Sequence, residues 1–341
     1  MISRPLRIGT RGSQLALWQA NAVASAIAAS GGPACTIVTI RTSGDRLQEA
    51  PLSEIGGKRL FVKDIEDALL RGDIDLAVHS SKDMPAVLPE GLTIAAVLPR
   101  EDPLDAIVLP VRLKADTTDD SHVASAFRRT FASIEDVIAE LGQTPNIGTS
   151  SVRRIAQLSR LMPGARFTPI RGNLDTRLRK LDAGEYDALV LAAAGLRRLG
   201  FADRISMAVP ADACVPAPGQ GIVAIEIRDG DEDVRRVVAR IDGGPAAAAL
   251  NAERALVAAL GGGCQTPIGA LASGMAGGGI ELVAAVVSLD GSRAVRRQSR
   301  GLPGAAVALG ERVAAQLLGD GAGEILASAS GAQREVEGIQ P

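Results

Sequence analysis

One short unit occurs twice in this chain and limits the folds open to it more than any other feature. Arg7-Ile8-Gly9-Thr10-Arg11-Gly12-Ser13 stands just before a helical pattern, and so does Asn146-Ile147-Gly148-Thr149-Ser150-Ser151. Each is followed by a second echo: Gly72-Asp73-Ile74-Asp75-Leu76-Ala77-Val78 after the first, Gly184-Glu185-Tyr186-Asp187-Ala188-Leu189-Val190 after the second. The reading is two similar α/β domains in tandem, with their helix N-termini facing one cleft. Around the first copy, Leu6 to Thr10 reads as a strand. Gln14 to about Ala29 reads as a helix, with Ser13 as N-cap and Leu15, Trp18, Val23 and Ile27 as its buried stripe. A strand near Thr36–Arg41, a helix near Phe61–Arg71 and a strand at Ile74–Val78 follow. Strands alternating with helices indicate an α/β layer architecture.

With 341 residues, two or three domains are expected. From about Pro245 the pattern changes. A helix over Pro245–Leu260 precedes a glycine break, then alternating segments at Ile268–Ala272, Ile280–Leu289 and Ala294–Ser299, with Asp290-Gly291 as a hairpin turn between the last two. A closing helix covers roughly Ala305–Leu318, so this part reads as a small α+β domain. Val111–Ser133 lacks periodicity and reads as a surface insertion.

Composition excludes several classes. At 46% hydrophobic and 22% charged residues, the chain is an ordinary globular one. Its longest apolar stretches, such as Ala188–Leu196, are too short to span a membrane, and no secretory signal precedes the first strand, so the expected location is cytoplasmic. Cys35, Cys214 and Cys264 form no CxxC, and His79 and His122 are scattered. Neither a disulfide framework nor a metal site is expected. Cys35 and Cys214 read as ordinary small hydrophobic positions. Ser150 to Gly200 holds ten Lys/Arg against four acids, +6 in a chain whose net charge is −2. A local arginine-rich segment in an acidic protein suits a small anionic ligand, and only 2% aromatic residues argues against base stacking.

Three constellations could carry chemistry. Thr10 to Ser13 and Thr149 to Ser151 are loop-to-helix junctions, each readable as an ordinary cap or as an anion site. Arg153 and Arg154 follow the second, with Arg171, Arg177 and Arg198 near other element ends. Arginine forks fit carboxylates, and no GxxxxGK[ST] phosphate loop is present. Lys82-Asp83 lies beyond the carboxyl end of the strand carrying His79, where open α/β sheets place ligands. There Asp83 is either a solvated partner of Lys82 or a carboxylate that stabilises developing positive charge. Cys264 sits in the glycine loop Gly261-Gly262-Gly263-Cys264-Gln265-Thr266-Pro267, a setting that suits an attached group as well as a structural thiol.

Taken together, these segments resemble the porphobilinogen deaminase family. Leu6 to Gln19, Gly56-Gly57-Lys58, Leu60-Phe61-Val62-Lys63 and Val78-His79-Ser80-Ser81-Lys82-Asp83-Met84-Pro85 are similar to its motifs. Gly148 to Arg154, Arg171 to Arg177, Pro218-Gly219-Gln220-Gly221 and Gly262 to Gly269 follow in the family's order. The resemblance implies two tandem α/β domains like type II periplasmic binding proteins plus a small C-terminal α+β domain. The expected partition is 1–103 with about 217–240, then 104–216, then 245–341. It implies a transferase of tetrapyrrole (porphyrin and heme) biosynthesis, a hydroxymethylbilane synthase that joins four porphobilinogen molecules with loss of ammonia. Its dipyrromethane cofactor would be held by a thioether to Cys264.

On the same resemblance Asp83 is catalytic. Cys264, Ser13, Lys82, Asp83, Thr149, Ser150, Ser151, Arg153, Arg154 and Arg171 hold the cofactor. Arg11, Ser13, Lys58, Phe61, Arg153, Arg154, Arg177 and Arg198 meet the substrate, and the protein is a monomer without nucleic acid or membrane partners. Gln220 lies in a hinge segment, and Asp102–Asp105 and Val215–Gly219 are the expected hinges. Glu54 stands where many members have Lys, so no binding role transfers to it. A rival reading is a periplasmic-type carboxylate- or sulfate-binding module, which leaves the third domain and Cys264 unexplained.

Overall fold

The computed structural model describes residues 4–43, 62–111, 130–262 and 266–336. It begins with β1 (Leu6–Thr10), whose Leu6 and Ile8 are fully buried. Ser13 then caps α1 (Gln14–Ala29), its Oγ accepting the Ala16 N–H at 3.3 Å. β2 (Cys35–Thr39) pairs parallel with β1; after α2 (Lys63–Leu70), β3 (Leu76–Ser80) pairs parallel on its other side, and β4 (Leu92–Val97) follows. The chain next builds β5 (Asp105–Val108), α3 (Ile134–Leu141), β6 (Asn146–Gly148), α4 (Val152–Leu161), β7 (Arg166–Thr168) and α5 (Leu174–Asp182). β8 (Ala188–Ala192), α6 (Ala193–Arg198) and β9 (Met207–Val209) complete that part, and β10 (Val223–Arg228) and α7 (Glu232–Val238) return to the first.

The two echoes fold alike. The first sheet has the order β2-β1-β3-β10-β4 and the second β7-β6-β8-β5-β9. In each, a strand reached by crossing between the sheets is inserted antiparallel beside the third parallel strand: β10 next to β3, and β5 next to β8. This doubled arrangement is the type II periplasmic-binding-protein-like architecture that the motifs implied. The α1 stripe differs from expectation at its start. Gln19, Ala20, Val23 and Ile27 are buried, whereas Trp18 is 40% exposed, its ring 5.4 Å from the Arg198 guanidinium of α6. The helical period continues, but its first turn faces the second sheet's domain rather than its own core.

The C-terminal part is α8 (Gly244–Ala259), then the antiparallel meander β11 (Ile268–Gly274), β12 (Ile280–Val287) and β13 (Ala294–Gly301), then α9 (Ala306–Gly319) and α10 (Ala322–Val336). The hairpin turn falls at Asp290-Gly291 as expected, with Gly291 at φ 74°. Sequence reading stopped at α9 because α10 is rich in Ser and Gly. Burial of Ala322, Ile325, Leu326 and Ala329 at helical spacing supports it instead. One face of this sheet packs on the three helices; the other meets α4 through Ala156, Val215, Ala285 and Val287.

Two fully buried carboxylates tie the three sheets together. Asp105 opens β5 and accepts from Arg153 at 2.7 and 3.1 Å, from Arg154 Nε at 3.0 Å and from Gln220 Nε2 at 3.0 Å. Glu253, on α8, accepts from Arg100 at 2.6 Å, from the Gly219 N–H at 2.6 Å and from the Ala272 N–H at 2.7 Å. Arg100 and Gly219 stand on the outgoing and returning crossings, so Glu253 fixes α8 to both. The crossings pack closely: a Cβ on Gly219 would lie 2.5 Å from Ser81 Oγ, and one on Gly221 would lie 2.2 Å from the Glu101 carbonyl oxygen. The glycines of Pro218-Gly219-Gln220-Gly221, at φ 73° and 86°, are therefore required by contact as well as conformation. Cys214 departs from its reading as a plain hydrophobic position. Its thiol is 3.5 Å from Asp105 Oδ2 and 3.4 Å from Arg153 Nη1, and burial pushes its pKa up to about 12.

The two arginines hold Asp105 ionised well below the usual carboxylate range against the opposing effect of burial. Its folded pKa is depressed, so its stabilisation is present above the unfolded value near 4 and is lost as pH falls toward the folded one. Asp105→Asn strands two buried cations and is expected to cost about 3–5 kcal/mol in urea unfolding at pH 7. The gap between wild type and variant should narrow as pH drops from 5 to 3; a gap independent of pH would show that Asp105 is not the titrating group.

Candidate active site

The strand β3 ends at Ser80 and turns through a short 3-10 segment, Ser81–Asp83, which places Lys82 and Asp83 beyond the carboxyl end of the first sheet. There they line a cavity of about 350 Å³ shared by all three parts of the chain. The second part contributes Ser150, Ser151, Arg153, Arg154 and Arg177. The third contributes Leu250, Arg254 and Val257 from α8, together with Gly262, Thr266 and Ile268. Seven residues singled out from the sequence thus meet in one place: Lys82, Asp83, Ser150, Ser151, Arg153, Arg154 and Arg177.

The wall from the second part is built by the start of α4. Thr149 Oγ1 accepts the Ser151 N–H at 3.3 Å, Ser150 Oγ bridges the Ile170 backbone at 3.0 Å on both sides, and Ser151 Oγ caps the helix at the Arg154 N–H. The N–H groups of Val152 and Arg153 open the helix at the cavity, where geometry leaves first-turn donors without intrahelical acceptors. Arg153 and Arg154 are themselves largely committed. Besides Asp105, Arg153 donates to the Val215 carbonyl at 2.8 Å and Arg154 to the Val190 carbonyl at 2.7 Å. Arg177 is less constrained, donating from Nε to the Gly172 carbonyl at 2.8 Å. Burial, and then the repulsion of Arg154, lower its pKa; Asp83 opposes them. Asp83 therefore faces a cationic wall.

Gln220 couples this site to the buried ion cluster. It is fully buried; Nε2 donates to Asp105 and to the Pro103 carbonyl, while Oε1 accepts from Lys82 Nζ at 3.3 Å. The expected hinge residue thus also orients a site lysine. Ser81 and Arg254 also line the cavity without having been singled out. The Ser81 Oγ is buried with no hydrogen-bond partner among the described residues. The one sequence signal that bore on Arg254 is its neighbour: Glu253 interrupts an apolar helix face at Ala249, Leu250, Ala252 and Leu256, which marks a buried carboxylate.

Other expected site residues lie outside the cavity lining. Thr149 is buried behind it, Ser13 caps α1, and Arg11 precedes that helix. Arg171 stands before α5 within electrostatic reach of Arg177. Arg198 joins the first two domains, donating to the Gly221 carbonyl at 2.7 Å beneath Trp18, and burial lowers its pKa. Lys58, Phe61, Glu54 and Cys264 fall outside the described residues, as does most of the 111–133 insertion. Among the described residues there is no group of three or more potential metal ligands, and no helix is long and apolar enough to cross a membrane.

Comparison with known proteins identifies the family. Residues 6–236 match the family model "Porphobilinogen deaminase, dipyromethane cofactor binding domain", and residues 247–319 match "Porphobilinogen deaminase, C-terminal domain". The porphobilinogen deaminase of Geotalea daltonii is 42% identical over 337 residues, and that of Geobacter metallireducens 43%, each alignment covering 98% of both chains. Among solved structures, a periplasmic VFT2 domain of Bordetella pertussis BvgS covers 69% of this chain and 86% of its own at 16% identity, with a TM-score of 0.37. The sequence matches run through both α/β domains and the third domain, and the chain belongs to the porphobilinogen deaminase family.

Proposed function

We propose that the chain condenses four porphobilinogen molecules head to tail, with loss of ammonia, on a dipyrromethane held through a thioether to Cys264, and releases hydroxymethylbilane by hydrolysis. One observation carries this reading. Asp83 meets Lys82, Arg154 and Arg177 in a cavity whose third wall includes Gly262 and Thr266, which flank Cys264 in the sequence. Cys35 and Cys214 do not line that cavity, and the raised pKa of Cys214 leaves it no thiolate near neutral pH.

The donor set suits the group. Two linked pyrroles carry four carboxylates and two ring N–H groups. The cavity presents Lys82, Arg177 and Arg254 as cations, Ser150 and Ser151 as hydroxyls, and Asp83 as an acceptor. Its volume lies within the ~300–1,000 Å³ usual for small-molecule sites. The bound dipyrromethane supplies a free α-carbon as the growing point. Asp83 accepts pyrrole N–H bonds and offsets the positive charge that develops on the ring as ammonia leaves. Arg177, with most of its donors uncommitted, takes a carboxylate through two parallel bonds. Arg153 and Arg154 offer the donors Asp105 leaves them, and the Val152 and Arg153 N–H groups add to the same anion-binding wall.

Arg11, Ser13, Arg171 and Arg198 meet carboxylates as the product lengthens and the first two domains shift about the crossings. Lys58, Phe61 and Thr149 keep the supporting parts that family resemblance implies. The same reading holds the protein to be a cytoplasmic monomer that acts on a small polycarboxylate, without nucleic acid. Among the described basic side chains, those along β13 and its turn support the last point: Arg293, Arg297 and Arg300 are paired with Glu324, Asp320 and Glu281, and Arg296 donates to the Ala211 and Asp212 carbonyls.

Intact mass tests the anchor. Wild-type protein is expected to carry, or to gain from porphobilinogen, the mass of two linked pyrrole units, and Cys264→Ser is expected to stay at the bare chain. A Cys264→Ser variant that loads would move the anchor elsewhere. Asp83→Asn is expected to keep the cofactor mass and substrate binding while turnover drops on the order of 10²–10³-fold; near-normal turnover would remove Asp83 from the chemistry.

A further inference from the structure

Trp18 does not line the cavity, yet it joins the two domains that form most of it. α1 starts just past the end of β1, and α6 starts where β8 ends. β1 is the parallel neighbour of β3, which delivers Lys82 and Asp83, and β8 is that of β6, which delivers Ser150 to Arg154. Both helices therefore begin on the edge of their domain that carries the cavity. Their contact there is small. The Trp18 indole lies 5.4 Å from the Arg198 guanidinium, and Leu15 comes within 3.8 Å of where a Cβ on Gly195 would lie.

Arg198 has a second attachment. Its Nη2 donates to the Gly221 carbonyl at 2.7 Å, which also accepts the Glu101 N–H at 3.0 Å, so the guanidinium is fixed where the outgoing and returning crossings meet. Its neighbour Arg197 pairs with Asp102 of the outgoing crossing at 3.1 Å. The end of α6 is thus bound to the crossings by a hydrogen bond and a salt bridge, and to α1 through an indole face and one leucine. Trp18 remains 40% exposed, and the Arg198 Nε is buried without a hydrogen-bond partner among the described residues. A cation–π contact partly in water holds two surfaces weakly, whereas Asp105 cannot let go without stranding buried charge. Widening of the cleft then turns about the crossings and parts Trp18 from Arg198.

We propose that the Trp18–Arg198 contact is a latch that holds the first two domains closed beside the cavity, and that its release admits the later rings of the growing chain. This rests on the porphobilinogen reading given above and adds the contact that resists elongation. The cavity, at about 350 Å³, stands near the lower end of the ~300–1,000 Å³ range of small-molecule sites, and a primer of two rings that grows to six exceeds it. The first addition uses the closed form, and later ones draw on an open form that the latch makes scarcer by about three- to tenfold.

Trp18 is the chain's one tryptophan, so its emission reports on the latch directly. Full-length, cofactor-loaded wild type, Trp18→Leu and Trp18→Phe are each given limiting porphobilinogen. Intact mass gives the fraction of enzyme carrying one, two, three or four added rings, and wild-type emission is followed over the same steps. That emission is expected to move to longer wavelength as the later rings are added, because the indole gains water. Trp18→Leu is expected to add the first ring at the wild-type rate and to raise the ratio of later to earlier intermediates about three- to tenfold. Trp18→Phe, with a weaker aromatic face, should fall between the two.

Emission that stays fixed through all additions, or a wild-type spread of intermediates in Trp18→Leu, would overturn the inference. So would a first addition slowed as much as the later ones, which would reduce Trp18 to ordinary packing. Wild type that gains no pyrrole mass at all would remove the porphobilinogen reading, and the latch would fall with it.

Discussion

Asp105, buried between two arginines at the point where the chain first crosses between its sheets, is the interaction on which the rest of the structure depends. A lone carboxylate there would be neutral, and Arg153 and Arg154 would be unpaired charges under a helix start. Together they form a cluster that satisfies Gln220 as well, and Gln220 reaches Lys82 in the site. The same few atoms therefore join the second sheet's inserted strand, the helix that lines one wall of the cavity, the returning crossing and the Ser81–Asp83 turn. Glu253 does the equivalent for the third domain. Such buried ion clusters contribute little net stability over an apolar core, but they tolerate few alternative arrangements.

This arrangement changes what an arginine-rich segment means. Ten basic residues between 150 and 200 suggested a carboxylate-binding surface, yet most of those described have partners in the protein. Arg160 donates to the Gly291 carbonyl, Arg179 pairs with Asp175, and Arg197 with Asp102. Part of the segment's charge is scaffolding, with Arg153 and Arg154 holding the α4 N-terminus in place through Asp105. The cationic face that a polycarboxylate would meet is narrower than composition implies, and it is completed by Arg254 from outside the segment.

Much of the fold was legible in the sequence. The repeated strand–turn–helix unit, the Ser13 cap and the alternating strands after Ile268 express local rules, a period of 3.6 or of 2 with a cap or a glycine at each end, and they appear close to where those rules place them. Asp83 and Lys82 were legible because a polar turn after an apolar strand marks the carboxyl end of a sheet. Trp18 was misjudged because periodicity tells which residues share a helix face but not which neighbour that face meets. Cys214 looked apolar because its partners, Asp105 and Arg153, lie 109 and 61 residues away.

The sequence by itself determined two related α/β units, a third α+β unit, the family and the polar turns that line the cavity. Each of these follows from short-range pattern or from motif. Only the tertiary structure decided which arginines are committed to Asp105 and which face the cavity, that Gln220 connects Lys82 to the ion cluster, and that α8 brings Arg254 to the site. Those outcomes depend on pairings between groups far apart in the chain. Desolvation, which makes every buried charge require a partner, selects among them only once the three sheets have packed.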